Sequence, residues 1–339
     1  MSNKRYIVLL LVWTLISAGC RLIDDDLSVC GTETDYLVSY QVRLTTQINM
    51  TIDEKLSSEV EKPIAAALKK WSEPIFSGQA HDLDMRFYSL DGTDELKHRQ
   101  YEIIDATRKS YTLTIPRQDY QHLAVVNMAD NKNVYLMGGD NASTLRVAQK
   151  ALDTLPSHRT AVYTARLPMH MKEDENMSFD VHLYMVSCAV ALVVQDSTTT
   201  SNPVIEQFTL DGLASAFDVL DSVYTFTSPS VIRAEKVTDQ CYAAVAFPSR
   251  EPSTPAASEK KKPADTDDGL WHLTAHTRLS DGTITETKFS FPKPIRAGVM
   301  EIIKLYIKDD GSLGTTDAEV GVTVTLDWKS GTTQELITG

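Results

Sequence analysis

Long segments of this sequence alternate apolar with polar residues. Residues 36–44, YLVSYQVRL, keep this period of two over a full strand length, and residues 181–185, 271–276 and 320–328 repeat it. Because successive side chains of a β-strand point to opposite faces of a sheet, each segment predicts a strand with one face toward a core. A helix does not produce this pattern, since its period is about 3.6 residues.

Turn signals separate the predicted strands. Three dipeptides are of the kind that closes a hairpin: Asp91-Gly92, Asp281-Gly282 and Asp310-Gly311. Many short strands joined by such turns favour β-sandwiches over a parallel sheet with crossover helices. The sequence therefore predicts a mainly β chain with little helix.

Helix is predicted at two places. Residues 51–71 repeat apolar side chains at every fourth position: Leu56, Val60, Ile64 and Leu68. Pro63 is expected to kink or split this helix, which we expect to cover an open end of the first sandwich. Residues 204–220 predict a second, weaker helix.

Two polar stretches divide the chain. The charged segment at residues 167–179 predicts a boundary between an N-terminal sandwich, residues 36–170, and a C-terminal sandwich, residues 171–339. Residues 248–269 contain almost nothing apolar and cannot bury enough surface to fold, so they predict a mobile loop.

Residues 1–19 have the architecture of an export signal. The apolar run at residues 6–16 follows a positively charged start and is shorter than the roughly 20 apolar residues that span a bilayer. The segment SAGC, residues 17–20, resembles a bacterial lipobox, which predicts a covalent diacylglycerol and an N-acyl chain on Cys20. The alternative is ordinary secretion with an incidental cysteine.

The residues that follow Cys20 indicate whether the lipoprotein stays in the inner membrane or is exported to the outer membrane. Arg21 stands where an aspartate would retain many Gram-negative lipoproteins in the inner membrane. Asp24, Asp25 and Asp26 look like the acidic tag that exports some lipoproteins to the outer face of the outer membrane. The alternative is that residues 20–35 are only a solvated acidic tether, because like charges keep a linker extended.

The balance of charge argues against a nucleic-acid partner. The chain has 33 basic and 46 acidic residues and a net charge of −13 at pH 7. Proteins that bind nucleic acids neutralise phosphates with clustered Lys and Arg. An acidic chain of this kind is instead typical of a solvated surface protein.

The cysteines allow little cross-linking. Of the four cysteines, lipidation of Cys20 leaves Cys30, Cys188 and Cys241, so at most one intramolecular disulfide can form. Cys188 lies in an apolar run, which predicts a small buried side chain.

No arrangement of residues typical of catalysis or metal binding is found in the sequence. The nucleophile-elbow, phosphate-loop, dinucleotide and zinc-protease motifs are all absent. His272 and His276 fall on one face of a predicted strand, but no third metal ligand is evident. The pair Asp82 and Asp84 is interpreted as turn residues. We therefore expect no enzyme, no further cofactor and no small-molecule substrate.

Four segments carry a resemblance to a known family. They are the opening CRLIDDDLSVC, the strand YLVSYQVRL, the central SFDVHLYMVSCAVALVV and the final VGVTVTLDWKSG. Together they resemble the fimbrillin-associated anchor proteins of type V pili, over the whole mature chain. The resemblance implies an outer-membrane lipoprotein of two tandem transthyretin-like β-sandwiches that holds a fimbrium to the cell, supports adhesion and limits fibre length.

The family also implies a partner and a mechanism. In such pili each shaft subunit loses its first strand to an Arg-specific protease, and a strand of the next subunit fills the groove. An anchor keeps its first strand, because that strand leads to the lipid on Cys20. No arginine occurs between Arg43 and Arg86, in agreement with an uncut first strand.

The C-terminal strand is the predicted contact with the fimbrial shaft subunit. Its apolar face consists of five residues: Val320, Val322, Val324, Leu326 and Trp328. The alternative is that these residues only complete the core of the second sandwich.

Other functions stay open at this stage. A pilus tip or accessory subunit has the same general plan. A glycan-binding surface lipoprotein requires exposed aromatic platforms, for which Trp71, Trp271 and Trp328 are the available tryptophans of the mature chain. A lipid-anchored hydrolase requires a catalytic set assembled only in space.

Overall fold

The computed structural model describes residues 36–44, 48–76, 82–103, 110–116, 118–171, 177–195, 203–226, 230–252, 269–317, 319–325 and 336–337. The predicted signal, Cys20, the acidic tag and Cys30 lie outside the described residues, as do residues 253–268 of the predicted loop. Among the described helices, none is long and apolar enough to cross a membrane.

The described strands form four sheets, and the strands of each are named below in their spatial order. Sheet 1 consists of β3 (Leu96–Ile103), β2 (Asp82–Ser89), β5 (Tyr120–Val126), β9 (Tyr163–Met169), β10 (Met177–Met185), β1 (Tyr36–Leu44) and β4 (Ser110–Ile115). Sheet 2 consists of β16 (Glu235–Thr238), β17 (Cys241–Ala246), β11 (Cys188–Gln195), β20 (Met300–Ile307) and β21 (Leu313–Thr315). Sheet 3 consists of β23 (Leu336–Ile337), β22 (Gly321–Thr325), β19 (Ile284–Phe291), β18 (Trp271–Arg278), β12 (Val204–Leu213), β15 (Ser230–Arg233) and β8 (Leu155–Pro156). Sheet 4 consists of β14 (Val223–Thr225), β13 (Ala216–Asp218), β7 (Arg146–Gln149) and β6 (Val134–Met137).

Helix is a minor component, as the sequence predicts. The helices are α1 (Ile48–Lys55), α2 (Lys62–Phe76) and a short 3₁₀ turn (Ala142–Thr144). The prediction of a mainly β chain built from packed sheets is confirmed.

Three hydrophobic cores join the sheets. The first core lies between sheet 1, the two helices and one face of sheet 2; the second lies between the other face of sheet 2 and sheet 3. The third joins the other face of sheet 1 to sheet 4. β11 shows the consequence for sequence, since Ala189 and Ala191 face the first core while Val190 and Leu192 face the second. A strand buried on both faces is apolar throughout, which explains the run AVALVV.

Two helices, α1 and α2, occupy the segment for which the sequence predicts one helix. Pro63 lies in the first turn of α2, where its missing N–H removes no helical hydrogen bond, so the predicted split is confirmed. Val60 is 82% exposed between the helices and does not belong to their buried face. Leu56 and Ile64 are buried in the first core, where α1 contacts β20 and α2 contacts β16, both strands of sheet 2. The predicted place of the helices at an open end of the sandwich stays a prediction.

The predicted hairpin turns are confirmed. Gly92, Gly282 and Gly311 have φ angles of 91°, 88° and 79°, a region that favours glycine. Each turn joins an antiparallel pair: β2 with β3, β18 with β19, and β20 with β21.

The predicted helix at residues 204–220 is wrong, because this segment forms β12 and β13. Phe208 and Leu210 are buried while Thr209 between them is half-buried, which is the period of a strand. β12 is held by β18 on one side and β15 on the other. Pairing on both sides therefore decides its conformation.

β10 lies beyond the predicted boundary at residue 170, yet it belongs to the same sheet as β9. The two strands pair antiparallel at Tyr184 and Met185, and β10 pairs with β1 on its other side. Sheet 1 thus contains strands from both sides of the predicted boundary. The domain division itself stays a prediction.

Candidate functional site

The first described strand, β1, has an interior position in sheet 1. β1 runs parallel to β10 over residues 38–44 and antiparallel to β4 over residues 36–41. It is therefore hydrogen-bonded along both edges and connects β4 with the other five strands of the sheet. Removal of β1 would leave a gap between β10 and β4, and this gap has the width of one extended strand.

The described part of the predicted contact strand lies in and beside β22. This strand pairs antiparallel with β19 over Gly321–Thr325, and with β23 at Thr323 and Val324. Val324 is 9% exposed, and Val320 and Val322 pack against the second core. These residues therefore contribute to the core, whether or not a partner also uses the strand. Two further members of the predicted set lie outside the described residues: Leu326 and Trp328.

The edge of sheet 3 at β22 and β23 differs chemically from the edge of sheet 1 at β3. β3 carries Lys97, Arg99 and Glu102, and charges on an edge strand discourage pairing with a foreign strand. β22 has the sequence GVTVT, without charge or proline, and the described part of β23 pairs with it at only two residues. This edge of sheet 3 is thus better suited to an added strand than β3 is.

Truncation tests the contribution of β22 to the fold. Deleting the chain from Gly321 onward is expected to lower the free energy of unfolding by at least roughly 1.5–3 kcal/mol, the burial of one valine such as Val324. Urea unfolding of the truncated and full chains measures the difference. A truncated protein of unchanged stability that no longer holds fibres would assign the strand to the partner instead of the core.

The described tryptophans do not present rings to a glycan. Trp271 is 1% exposed and stacks on Phe291 with ring centroids 3.9 Å apart, while its Nε1 donates to the backbone O of Lys293 at 2.9 Å. Trp71 is partly buried and packs against the first core. Both tryptophans are explained by packing, and Trp328 lies outside the described residues.

A cavity of about 240 Å³ opens beside Trp271 and Val320. Two of its lysines are already engaged, since Lys293 pairs with Glu319 at 2.5 Å and Lys304 with Glu61 at 2.6 Å. Burial raises the pKa of Glu301, another lining residue. Because its charges are largely paired within the protein, this cavity offers few groups to a ligand.

The two histidines of β18 are each held by a neighbouring strand. His272 Nδ1 lies 2.7 Å from an Asp211 carboxylate oxygen, and His276 Nε2 lies 2.9 Å from a Glu286 carboxylate oxygen. His276 Nδ1 also lies 3.1 Å from Gln207 Nε2. Among the described residues, no three His, Cys, Asp or Glu side chains are placed to hold a metal ion.

The interpretation of Asp82 and Asp84 as turn residues is wrong for both, because they lie in β2. Asp84 is 2% exposed and accepts paired hydrogen bonds from the guanidinium groups of Arg86 and Arg99, at 2.7–3.2 Å. Asp82 accepts from the backbone N–H of Ala129 at 3.0 Å. Sequence reasoning missed this network because Arg99 comes from the neighbouring strand.

The described cysteines are buried thiols. Cys188 is 1% exposed, as its apolar surroundings predict, and its Sγ donates to the backbone O of Phe247 at 3.4 Å. Cys188 and Cys241 are both free, and burial raises the pKa of each thiol to about 12. Neither is therefore a reactive nucleophile at neutral pH.

Sequence comparisons give no relative. A comparison with protein-family models finds no match, and a comparison with curated proteins finds none either.

Solved structures of similar shape are found. A candidate polysaccharide-binding protein of the DUF1812 group from Bacteroides thetaiotaomicron is 7% identical, with a TM-score of 0.51; the match covers 86% of this chain and 96% of that one. The fimbrial anchor protein from Porphyromonas gingivalis is 10% identical, with a TM-score of 0.44 and coverage of 87% and 98%. The C-terminally truncated tip fimbrial protein from the same organism is 9% identical, with a TM-score of 0.41 and coverage of 87% and 100%.

The first of these matches establishes a shared fold and nothing more, since its sequence identity is only 7%. The chain thus has the β-sandwich fold of the Bacteroides protein, and its structural neighbours include a fimbrial anchor and a fimbrial tip protein.

Proposed function

We propose that this chain is a cell-surface fimbrial subunit of the anchor type, tied to the outer membrane through acyl chains on Cys20. The observation that carries the proposal is the interior position of β1, which is paired with β10 and β4. A subunit whose first strand completes its own sheet has no groove there for a neighbour to fill. Its N-terminal strand is then free to serve as a covalent link to a membrane.

The β-sandwich fold is compatible with the same proposal. Because sandwich sheets are used by many unrelated proteins, the proposal rests on the position of β1 and on the N-terminal sequence. The lipobox-like segment at residues 17–20 and the acidic segment at residues 24–26 supply the proposed membrane anchor and export tag. The net charge of −13 fits a protein exposed to solvent.

The proposed contact with the fimbrial shaft subunit lies at the edge formed by β22 and β23. There β22 is uncharged and, among the described residues, pairs with β23 only at Thr323 and Val324. Main-chain hydrogen bonds to such an edge supply affinity in strand addition. Such an anchor would support cell adhesion by holding the fibre, and would end its growth at the cell.

The N-terminus of the native protein tests the proposal. We expect mass spectrometry of protein extracted from outer membranes to find acylated Cys20 as the first residue, followed by an intact peptide that includes Tyr36–Leu44. An N-terminus at Leu44, produced by cleavage after Arg43, would instead identify a shaft subunit that has lost its first strand. A mature chain that begins near Cys20 without acyl groups would contradict the membrane anchor alone.

A further inference from the structure

Sheet 4 packs on sheet 1 with its inner face, and its outer face lines a groove together with Leu155 of β8 and Ser230 of β15, two strands of sheet 3. Its inner face packs against sheet 1 through the third core, which includes Val147 and Phe217. On the outer face a groove of about 560 Å³ runs beside β6, β7 and β13 and is closed by the loop at residues 150–153. This volume lies within the range of roughly 300–1,000 Å³ that is usual for ligand sites.

The apolar part of the groove follows from the register of the sheet. Tyr135, Ala148 and Ala216 are direct cross-strand neighbours, so their side chains share the outer face. The two alanines leave a shallow floor, and Tyr135 stands at its edge with 40% of its surface exposed. Met137 is 45% exposed on the same face. An aromatic ring beside a floor of small side chains is a platform on which a flat, partly apolar ligand can stack.

The polar part of the groove is nearly neutral. Arg146 is paired with Asp218 at 3.3 Å, so its charge is compensated within the protein. Lys150 and Asp153 have opposite charges, and among the described residues neither side chain has an ion-pair or hydrogen-bond partner. Both are exposed at the groove and are available to a ligand rich in hydroxyl groups.

The floor of the groove is held rigid by a buried amide. Gln149 is 8% exposed; its Oε1 accepts from the Ser230 hydroxyl, and its Nε2 lies 2.8 Å from His158 Nε2. Burial lowers the pKa of His158 to about 4, so the ring is neutral at pH 7 and can accept this hydrogen bond. A floor of fixed side chains loses little conformational freedom when a ligand binds.

We propose that this groove binds a neutral glycan, with Tyr135 stacking on the face of one sugar ring. Sugar rings combine an apolar face with hydroxyl groups at the rim, and the groove combines an aromatic ring with free polar groups of both signs. A polyanionic ligand is disfavoured, because the groove is close to neutral and the chain carries a net charge of −13. A glycan contact at this groove would add direct adhesion to the proposed anchoring role, and does not depend on it.

Two substitutions test the site in the full chain purified in detergent. Tyr135→Ala removes the stacking ring, and Ala151→Trp fills the groove from its exposed loop. Tyr184→Ala is the matched control, since Tyr184 is 70% exposed on β10 and does not line the groove. Binding is measured on an array of neutral hexose and N-acetylhexosamine oligosaccharides, with uronic-acid oligosaccharides and extended peptides printed beside them.

The expected result is binding to a neutral glycan that weakens about threefold to tenfold in Tyr135→Ala and is lost in Ala151→Trp. Tyr184→Ala should bind like the unchanged chain, and unaltered melting temperatures show that all variants are folded. Failure of the unchanged chain to bind any neutral glycan would overturn the proposal. Binding that neither groove substitution alters, or binding to peptides or uronic acids alone, would overturn it equally.

Discussion

Replacing Cys20 with Ala is expected to release the protein and its fibres from the cell into the culture medium. The physical reason is the membrane affinity of acyl chains, about 0.8 kcal/mol for each buried CH₂, which makes two or three chains a firm anchor. Without the thiol no chain is attached, and the described residues contain no helix that could replace them. Fractionation of the native host with antibody against the chain, together with electron microscopy of the fibres, measures the outcome.

The control for this experiment is Cys30→Ala, which removes a nearby thiol and leaves the lipidation site intact. We expect this variant to stay on the cell with its fibres. The Cys20→Ala chain can keep its signal segment and so stay in the inner membrane. A second variant therefore has a general secretory signal in place of residues 1–20, which is removed during export. Fibres that stay attached to cells expressing a soluble, folded protein would remove the anchor role.

Substituting Asp84 with Ala is expected to lower the free energy of unfolding by about 3–5 kcal/mol. Asp84 is 2% exposed and is the carboxylate partner of Arg86, whose side chain is itself 7% exposed. Loss of the carboxylate leaves a buried guanidinium whose other contacts are the Tyr88 hydroxyl and a long hydrogen bond, 3.4 Å from its Nη1 to the backbone O of Gly139. An uncompensated buried charge is costly because it has lost its water without gaining a partner.

Arg99→Ala is the matched control for this effect. The Arg99 side chain is 50% exposed, and without it Asp84 keeps its paired contact with Arg86. We expect Arg99→Ala to change the free energy of unfolding by only about 0–1 kcal/mol, as for other exposed ion pairs. Urea unfolding of both variants gives the comparison. Equal losses of unfolding free energy for Asp84→Ala and Arg99→Ala would contradict this explanation, because the effect would then not depend on how deeply the charge is buried.

The β-strands were largely predictable from the sequence, because burial of one face leaves a period of two. Trp271, Leu273 and Ala275 are all buried on β18, as their spacing predicts. The hairpin at Asp281-Gly282 was predictable for a local reason, since only a few residues adopt a positive φ there. Features that depend on near neighbours in the chain were thus within reach of sequence reasoning.

The features that the sequence did not reveal depend on strands distant in the chain. Residues 204–213 show apolar spacing that is compatible with a helix, and pairing with β15 and β18 decides for a strand. The groove on sheet 4 joins Tyr135 to Ala216, a residue far along the chain, through β7. Alternation in VYLM already places Tyr135 and Met137 on one side, but it does not say whether another layer covers them.

The place of β1 in sheet 1 has a mechanical consequence. If Cys20 is held in a membrane while the fibre is dragged by flow, tension enters the fold at Tyr36, the N-terminal end of β1. Extraction of β1 along its own axis must break its ladders with β10 and β4 together, because both edges are paired. A strand at a sheet edge would instead give way along a single ladder. The same pairing that completes the sheet thus makes β1 suited to bear load.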